Sequence, residues 1–322
     1  MHVMMSVHEF EQFTQSPHRV EENSVVAGCQ AIVVDLKNCG SPLPRPGPLA
    51  TTIIGLGSST SAQSACDLIT NNENKLQDLL VQISAQPVAA FMLTQVLRHN
   101  VNVSIADGLL VESTAYSNLQ HSAGFQQWLQ GNANQHTHKD STEPLLLQRD
   151  DDTLILTLNR PEVHNAYDAD LKDSLCAALQ VALADQTIKQ VHLAGAGASF
   201  CAGGDLSEFG QTQEPAGAHV SRTTRSAAAI LSQLSCATSA TLQGACIGAG
   251  IELPAFTQHI TAHPDSYFQL PELSMGLIPG AGGTVSIPRR IGRQRTAHLA
   301  MSNEKMTAQV ALDIGLVDRL TS

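Results

Sequence analysis

Two glutamates, Glu252 and Glu272, have neighbours that could make them an acid and a base. The first closes a run of small residues, Gly244-Ala245-Cys246-Ile247-Gly248-Ala249-Gly250-Ile251-Glu252-Leu253, and the second follows Leu270-Pro271. Ser239-Ala240-Thr241-Leu242 reads as a strand feeding that run, so a helix start with outward-facing backbone N–H groups is expected after it. Amides at a helix start have no partner within the helix and hold anions. Two carboxylates beside such donors can move protons next to a carbonyl whose oxygen becomes negative. Taken singly, Glu252 also reads as a first-turn acid favoured by the helix dipole, and Glu272 as an exposed acid after a proline.

The elements that must position these groups begin at Thr153. Thr153–Leu158 reads as a strand, and Asp168 as the N-cap of a helix carrying Leu171, Leu175, Ala178, Leu179 and Ala182 on one face. A second strand over 191–194 runs into the glycine-rich loop Gly195–Leu206. A helix over 227–234 and a strand over 238–242 follow. Strand–helix alternation predicts right-handed crossovers, a largely parallel sheet and ligands at the carboxyl ends of the strands. Both glycine-rich loops follow strands and should meet at that edge.

Upstream, residues 1–23 show little pattern and read as a short helix or an irregular lead. Residues 31–36 and 51–56 read as strands around the proline-rich loop 41–48. Gly55-Leu56-Gly57 lacks the third glycine of a nucleotide turn and reads as an ordinary strand exit. Residues 73–130 read as helices: Leu76, Leu79, Leu80 and Ile83 share a face, Pro87 opens a second run, and a third spans 106–119. Phe125 and Trp128-Leu129 form one apolar turn of a fourth. Residues 131–143 are polar and aperiodic, a linker between a 1–130 region and a 144–322 region. Its His136 and His138 read as solvated, and no metal site is expected.

The formal net charge of −11 argues against nucleic acid or an anionic membrane surface as partner. Cys29, Cys39, Cys66, Cys176, Cys201, Cys236 and Cys246 are scattered, which reads as reduced thiols and a cytoplasmic location. No window approaches eighteen consecutive apolar residues.

Four motifs in order, Asn159-Arg160-Pro161-Glu162-Val163-His164-Asn165-Ala166, Ser199-Phe200-Cys201-Ala202-Gly203-Gly204-Asp205-Leu206, the run to Leu253, and Leu270-Pro271-Glu272 with Gly276 to Thr284, resemble the crotonase (enoyl-CoA hydratase/isomerase) superfamily over about residues 150–320. The resemblance implies an α/β fold, a ββα spiral core with peripheral helices. It implies an acyl-CoA thioester as substrate, no cofactor beyond that CoA, a role in fatty acid metabolism, and a homotrimer or a hexamer made as a dimer of trimers. By motif position the amides of Ala202 and Ala249 would polarise the thioester carbonyl, and Glu252 and Glu272 would work as an acid/base pair on one water held also by the Gly280 backbone. Phe200, Cys201, Gly203, Gly204, Asp205 and Gly248 would border the substrate, with Asp205 serving as a loop cap and Cys201 packed. Arg160 and His164 are the candidates for the CoA phosphates. Pro254 departs from the family pattern; five residues beyond Ala249, it removes a helical N–H and should kink or delay the helix.

Because both glutamates are present, the resemblance favours a hydratase (a lyase). The alternatives are an isomerase or other enolate-forming acyl-CoA enzyme, and a non-catalytic crotonase-like assembly protein. The family's chain continues past the Gly315-Leu316-Val317-Asp318 motif into helices that close the acyl pocket. Residues 73–130 resemble those helices, which implies a circular permutation with 131–143 as the joining tract; the rival is an unrelated helical domain fused in front.

Overall fold

The computed structural model describes residues 1–321 apart from 38, 46, 48, 133–142, 212 and 213. The expected linker and its two histidines therefore lie almost wholly outside the described residues.

Residues 1–70 are more regular than their weak patterning implies. Strands β1 (His2–Ser6), β2 (Ala31–Asp35), β3 (Thr52–Leu56) and β4 (Leu68–Thr70) form a parallel sheet in that order, with helices α1 (Val7–Gln15) and α2 (Arg19–Glu22) between the first two strands. Ser6 caps α1: its hydroxyl accepts from the Glu9 amide while the Glu9 carboxylate accepts from the Ser6 amide, a reciprocal pair readable as Ser-x-x-Glu. The expectation of a helix or irregular lead misses β1, because an edge strand that alternates exposed and half-buried residues has little hydrophobic signature.

Helices α3 (Glu73–Ala85), α4 (Pro87–Asn100), α5 (Ile105–Leu119) and α6 (Ala123–Gly131) follow. Side-chain caps from Asn72, Ser104 and Ser122 start three of them, and Pro87 opens the other at its first position, where no amide is needed. Beyond 143 come β5 (Leu145–Asp150), β6 (Thr153–Leu158), α7 (Ala169–Ala184), β7 (Gln190–Gly195), α8 (Pro215–Thr224), α9 (Ala227–Leu231) and β8 (Ala237–Leu242). The chain continues through β9 (Ala245–Ile247), α10 (Ala249–Glu252), β10 (His259–Ala262), β11 (Tyr267–Gln269), α11 (Gly283–Ile291), α12 (Arg293–Ser302), β12 (Met306–Thr307), α13 (Ala308–Asp313) and β13 (Arg319–Leu320). A six-stranded sheet runs β13-β10-β8-β7-β6-β5, parallel except for the β5–β6 edge pair, and β12-β11-β9 form a smaller sheet.

The two halves of the sequence share a core. Leu76, Leu80, Leu93, Leu97, Leu119 and Phe125 belong to the same buried cluster as Leu156, Leu193, Leu242, Ile251 and Leu277. A smaller cluster lies between α1 and the first sheet, around Phe10, Ile32, Val34 and Ile53. Asp67, 1% exposed, ties this sheet to both sets of helices. Arg98 of α4 donates Nε–H to its Oδ1 at 2.7 Å and a guanidinium N–H to its Oδ2; Arg293 of α12 reaches Oδ1 at 3.0 Å, and the Ile53 amide donates to Oδ2 at 2.8 Å.

Candidate active site

The glycine-rich run after β8 forms β9 and then turns at Gly248 (φ 50°) into α10. Only glycine fits there: a Cβ would come within 2.6 Å of Glu272 Oε1 and 3.7 Å of Glu252 Oε1, besides the strain of that backbone angle. The two carboxylates thus flank Gly248. Helix α10 is a single turn, and Pro254 opens a separate 3₁₀ turn immediately after it, so the helix ends just where Glu252 has been presented. Glu272 heads another single turn, Glu272–Met275, behind Pro271.

Glu252 is 2% exposed, and its Oε2 accepts from the amides of Ala281 (2.7 Å) and Gly283 (2.8 Å). Interleaved with these, the Gly282 amide donates to Glu112 Oε1 (2.7 Å), and the Thr284 amide (2.9 Å) and hydroxyl (2.6 Å) donate to Glu112 Oε2. Four successive amides at the start of α11 therefore serve two buried carboxylates alternately, one from each half of the sequence. A helix start supplies these otherwise unpaired donors and the favourable end of its dipole.

A cavity of about 590 Å³ opens over this cluster. Among the residues that line it are Glu112, Glu252, Glu272, Ala249, Gly204 and Gly280, with Leu109, Tyr116, Phe209 and Leu253 giving apolar surface. The Ser199–Leu206 loop is zipped to β9 by Cys201 N–H to Ala245 O (3.2 Å) and Ile247 N–H to Cys201 O (3.0 Å). In it, Ala202 does not fit the expected donor role: its amide is already given to the His164 carbonyl at 2.9 Å. The backbone then reverses at Gly203 (φ 94°), and Gly203 O and the Asp205 amide both pair with Tyr167. The Gly203 and Gly204 N–H groups, like that of Ala249, have no acceptor among the described residues, and of the two glycines only Gly204 lines the cavity. The motif thus supplies a free amide two residues later than expected.

Other site expectations also need correction. Phe200 and Cys201 are 2% and 1% exposed and pack inside, Gly203 is buried, and none of the three lines the cavity. Gly248 is buried and acts as the spacer between the glutamates. Arg160 is 3% exposed, donates to Ala166 O at 2.5 Å and is paired with Asp168 (3.0 Å) and Asp205 (3.4 Å), so it braces loops, and it does not line the cavity. Asp205 caps the turn Leu206–Glu208 through the Ser207 amide. His164 is exposed, bonded through Nδ1 to Ser199 Oγ at 3.1 Å, and does not line the cavity.

The sequence matches the family described as Enoyl-CoA hydratase/isomerase over residues 149–322, more than half of the chain. The chain belongs to the enoyl-CoA hydratase/isomerase family. Among its relatives, the 2,3-dehydroadipyl-CoA hydratase of Escherichia coli (strain K12) is 34% identical over 54% of this chain and 67% of its own length. An enoyl-CoA isomerase/hydratase of Mycosarcoma maydis is 34% identical over 51% of this chain and 64% of its own. The chain thus spans about two thirds of the length of these two relatives. Crystal structures of the same fold include an enoyl-CoA hydratase of Mycobacterium smegmatis (TM-score 0.52, 29% identity, 56% of this chain and 70% of that one). Another is an enoyl-CoA hydratase of Thermoplasma volcanium (TM-score 0.52, 31% identity, 56% and 72%).

Within this crotonase-superfamily site, three residues were not singled out from the sequence: Glu112, Tyr116 and Arg222. Glu112 and Tyr116 share a face of α5 with Leu109 and Leu119, and an acid on an apolar helix face is the one signal that could have marked Glu112. Arg222 of α8 donates to Gly280 O at 2.9 Å and lies 3.7 Å over the Tyr116 ring. Burial pushes Glu272 up to about 8 and Glu112 up to about 7, the latter against the donors from Thr284 and Gly282. Burial first, then the charges of Glu272 and Glu112, raise Glu252, while the Ala281 and Gly283 amides oppose the rise. The hydrogen bonds decide where the proton goes. Donors converge on Glu252 and Glu112 and favour their ionised forms, whereas the buried Glu272 Oε2 has no partner among the described residues. Protonating Glu272 also removes its repulsion of Glu252.

Proposed function

We propose that this protein hydrates an α,β-unsaturated acyl-CoA thioester. The observation that supports this most is the pair of unlike carboxylates flanking Gly248, one fixed by two amides and the other bearing a buried oxygen with no partner among the described residues, in a cavity also lined by backbone amides that have no acceptor among them. In this reading the thioester oxygen sits against the Gly204 and Ala249 N–H groups, which replace the Ala202–Ala249 pair expected from the motif. Ionised Glu252 takes a proton from water as its oxygen bonds to the β-carbon. The electron pair of the double bond moves into a thioester enolate stabilised by the two amides, and Glu272 delivers its proton to the α-carbon. Glu252 ends protonated and Glu272 ionised, and one proton transfer between them restores the site. The test is loss of the enoyl absorbance of crotonyl-CoA on addition of enzyme. Conversion of a β,γ-enoyl-CoA without hydration would instead favour an isomerase.

Because Glu272 must carry a proton, kcat/KM should fall as pH rises through about 8. A pH–rate profile flat to pH 10 would contradict the assignment of Glu272 as the acid.

We also propose that α3–α6 occupy the place of the family's C-terminal helices, a circular permutation. They share the main core with the 144–322 region, and α5 lines the cavity with Leu109, Glu112 and Tyr116. Removing residues 1–143 should therefore give an insoluble or non-binding remainder. A soluble remainder that binds acyl-CoA, measured by calorimetry, would favour an unrelated fused domain.

A further inference from the structure

The turn from Gly280 to Thr284 is gripped from two sides, and only one side belongs to the family's recognised motifs. From α10, Glu252 holds the amides of Ala281 and Gly283. From α5, Glu112, 2% exposed, holds Gly282 and Thr284, and Tyr116 stands so close beneath Gly280 that a Cβ there would lie 2.3 Å from its ring. Asn100 of α4 completes the chain by donating to the Thr284 hydroxyl at 3.0 Å, which itself donates to Glu112. A purely structural anchor could have been any neutral acceptor. Here it is a second buried carboxylate in a cluster whose nearest cation, Arg222, is bonded to Gly280 O and forms no ion pair among the described residues.

From this geometry we infer that Glu112 is a positioning residue of the reaction: its carboxylate holds the Gly280–Thr284 turn and thereby sets where Glu252 presents its free oxygen. The charge acts beside the geometry. Among the described residues, Arg222, Glu252 and Glu272 are the charged groups that interact electrostatically with Glu112, Tyr116 lies one turn further along α5, and His219 is bonded to the neighbouring Ser113 at 3.0 Å. The negative charge of Glu112 makes Glu252 harder to ionise. Glu112 holds the base in place and at the same time limits its ionised fraction.

This inference rests on the hydration reading, and the experiment separates the two. Glu112→Gln keeps the side-chain length but turns one acceptor into an NH₂ that faces an N–H, loosening the turn and removing the charge. With crotonyl-CoA, kcat should fall on the order of 100-fold, the effect of a misplacement near 1 Å, while KM changes little. The acid limb of the pH profile should move to lower pH, since Glu252 then ionises more readily. Glu112→Asp, which keeps the charge, should lose rate but leave the limb near its wild-type position. An unmoved limb in Glu112→Gln, or a kcat equal to wild type, overturns the inference. If wild-type protein hydrates no enoyl-CoA, the hydration reading fails by itself. The inference is then decided by ¹³C titration of the Glu252 carboxyl: a shift to lower pH in Glu112→Gln supports it and no shift overturns it. Glu112→Asp covers the case in which Glu112→Gln does not fold.

Discussion

Glu252→Gln and Glu272→Gln should each lower kcat for crotonyl-CoA hydration by about 10²–10⁴-fold, the range for loss of a positioned acid or base. Neither should disturb the fold. In Glu252→Gln the side-chain amide oxygen can still accept from both Ala281 and Gly283, whose N–H groups meet at one carboxylate oxygen, so the loss falls on the proton transfer. Glu272→Gln replaces a side chain whose buried Oε2 has no partner among the described residues, so it should leave the fold and acyl-CoA binding intact while removing the transferable proton. Because the two groups act in one step, the double variant should be little worse than either single one. Rates measured by enoyl absorbance, with melting temperatures alongside, check each point. A Glu272→Gln enzyme with wild-type kcat would remove the acid from the scheme and turn attention to isomerisation, where one carboxylate suffices.

Asp67→Ala should destabilise the protein by about 3–5 kcal/mol, because it strands two arginines that have been drawn out of water. Arg98 and Arg293 are both largely buried, and both depend on this one carboxylate. The pair joins α4 to α12 and both to the first sheet, so the loss should appear as a lower urea midpoint and as separation of the 1–70 unfolding step from the rest. If denaturation shows a change below 1 kcal/mol, the tie is a surface pair in effect and the packing of the two clusters alone holds the sheet in place.

The main motifs were legible because their chemistry uses small residues at fixed backbone positions. Gly248, Ala249, Glu252 and Glu272 line up by spacing, and the strand feeding them is readable by its β-branched and small residues. The strands 31–36 and 51–56 and the helices of 73–130 were legible too, from apolar periodicity and from Pro87 opening the second run. Strand β1 was missed for want of a pattern, and β4 because three residues carry too little of one.

The amide donors show where reading the chain stops. Ala202 and Gly204 are two residues apart in one loop, and nothing local says which N–H stays free. The distinction depends on the His164 carbonyl and on Tyr167, which arrive from another motif. Arg160 misleads in the same way: an arginine in a motif suggests a phosphate ligand until Asp168 and Asp205 are seen to enclose it.

What the sequence determined by itself is the family, the two glutamates and the glycines that make room between them, because each depends on residue type and spacing along one strand-to-helix turn. Which amides are free among the described residues, how the glutamates are hydrogen-bonded, and that Glu112 lines the cavity were decided only by the tertiary structure. The physical reason is that a donor's availability and a buried acid's charge are set by whatever else reaches them in space, and here that includes a helix from more than a hundred residues earlier in the chain.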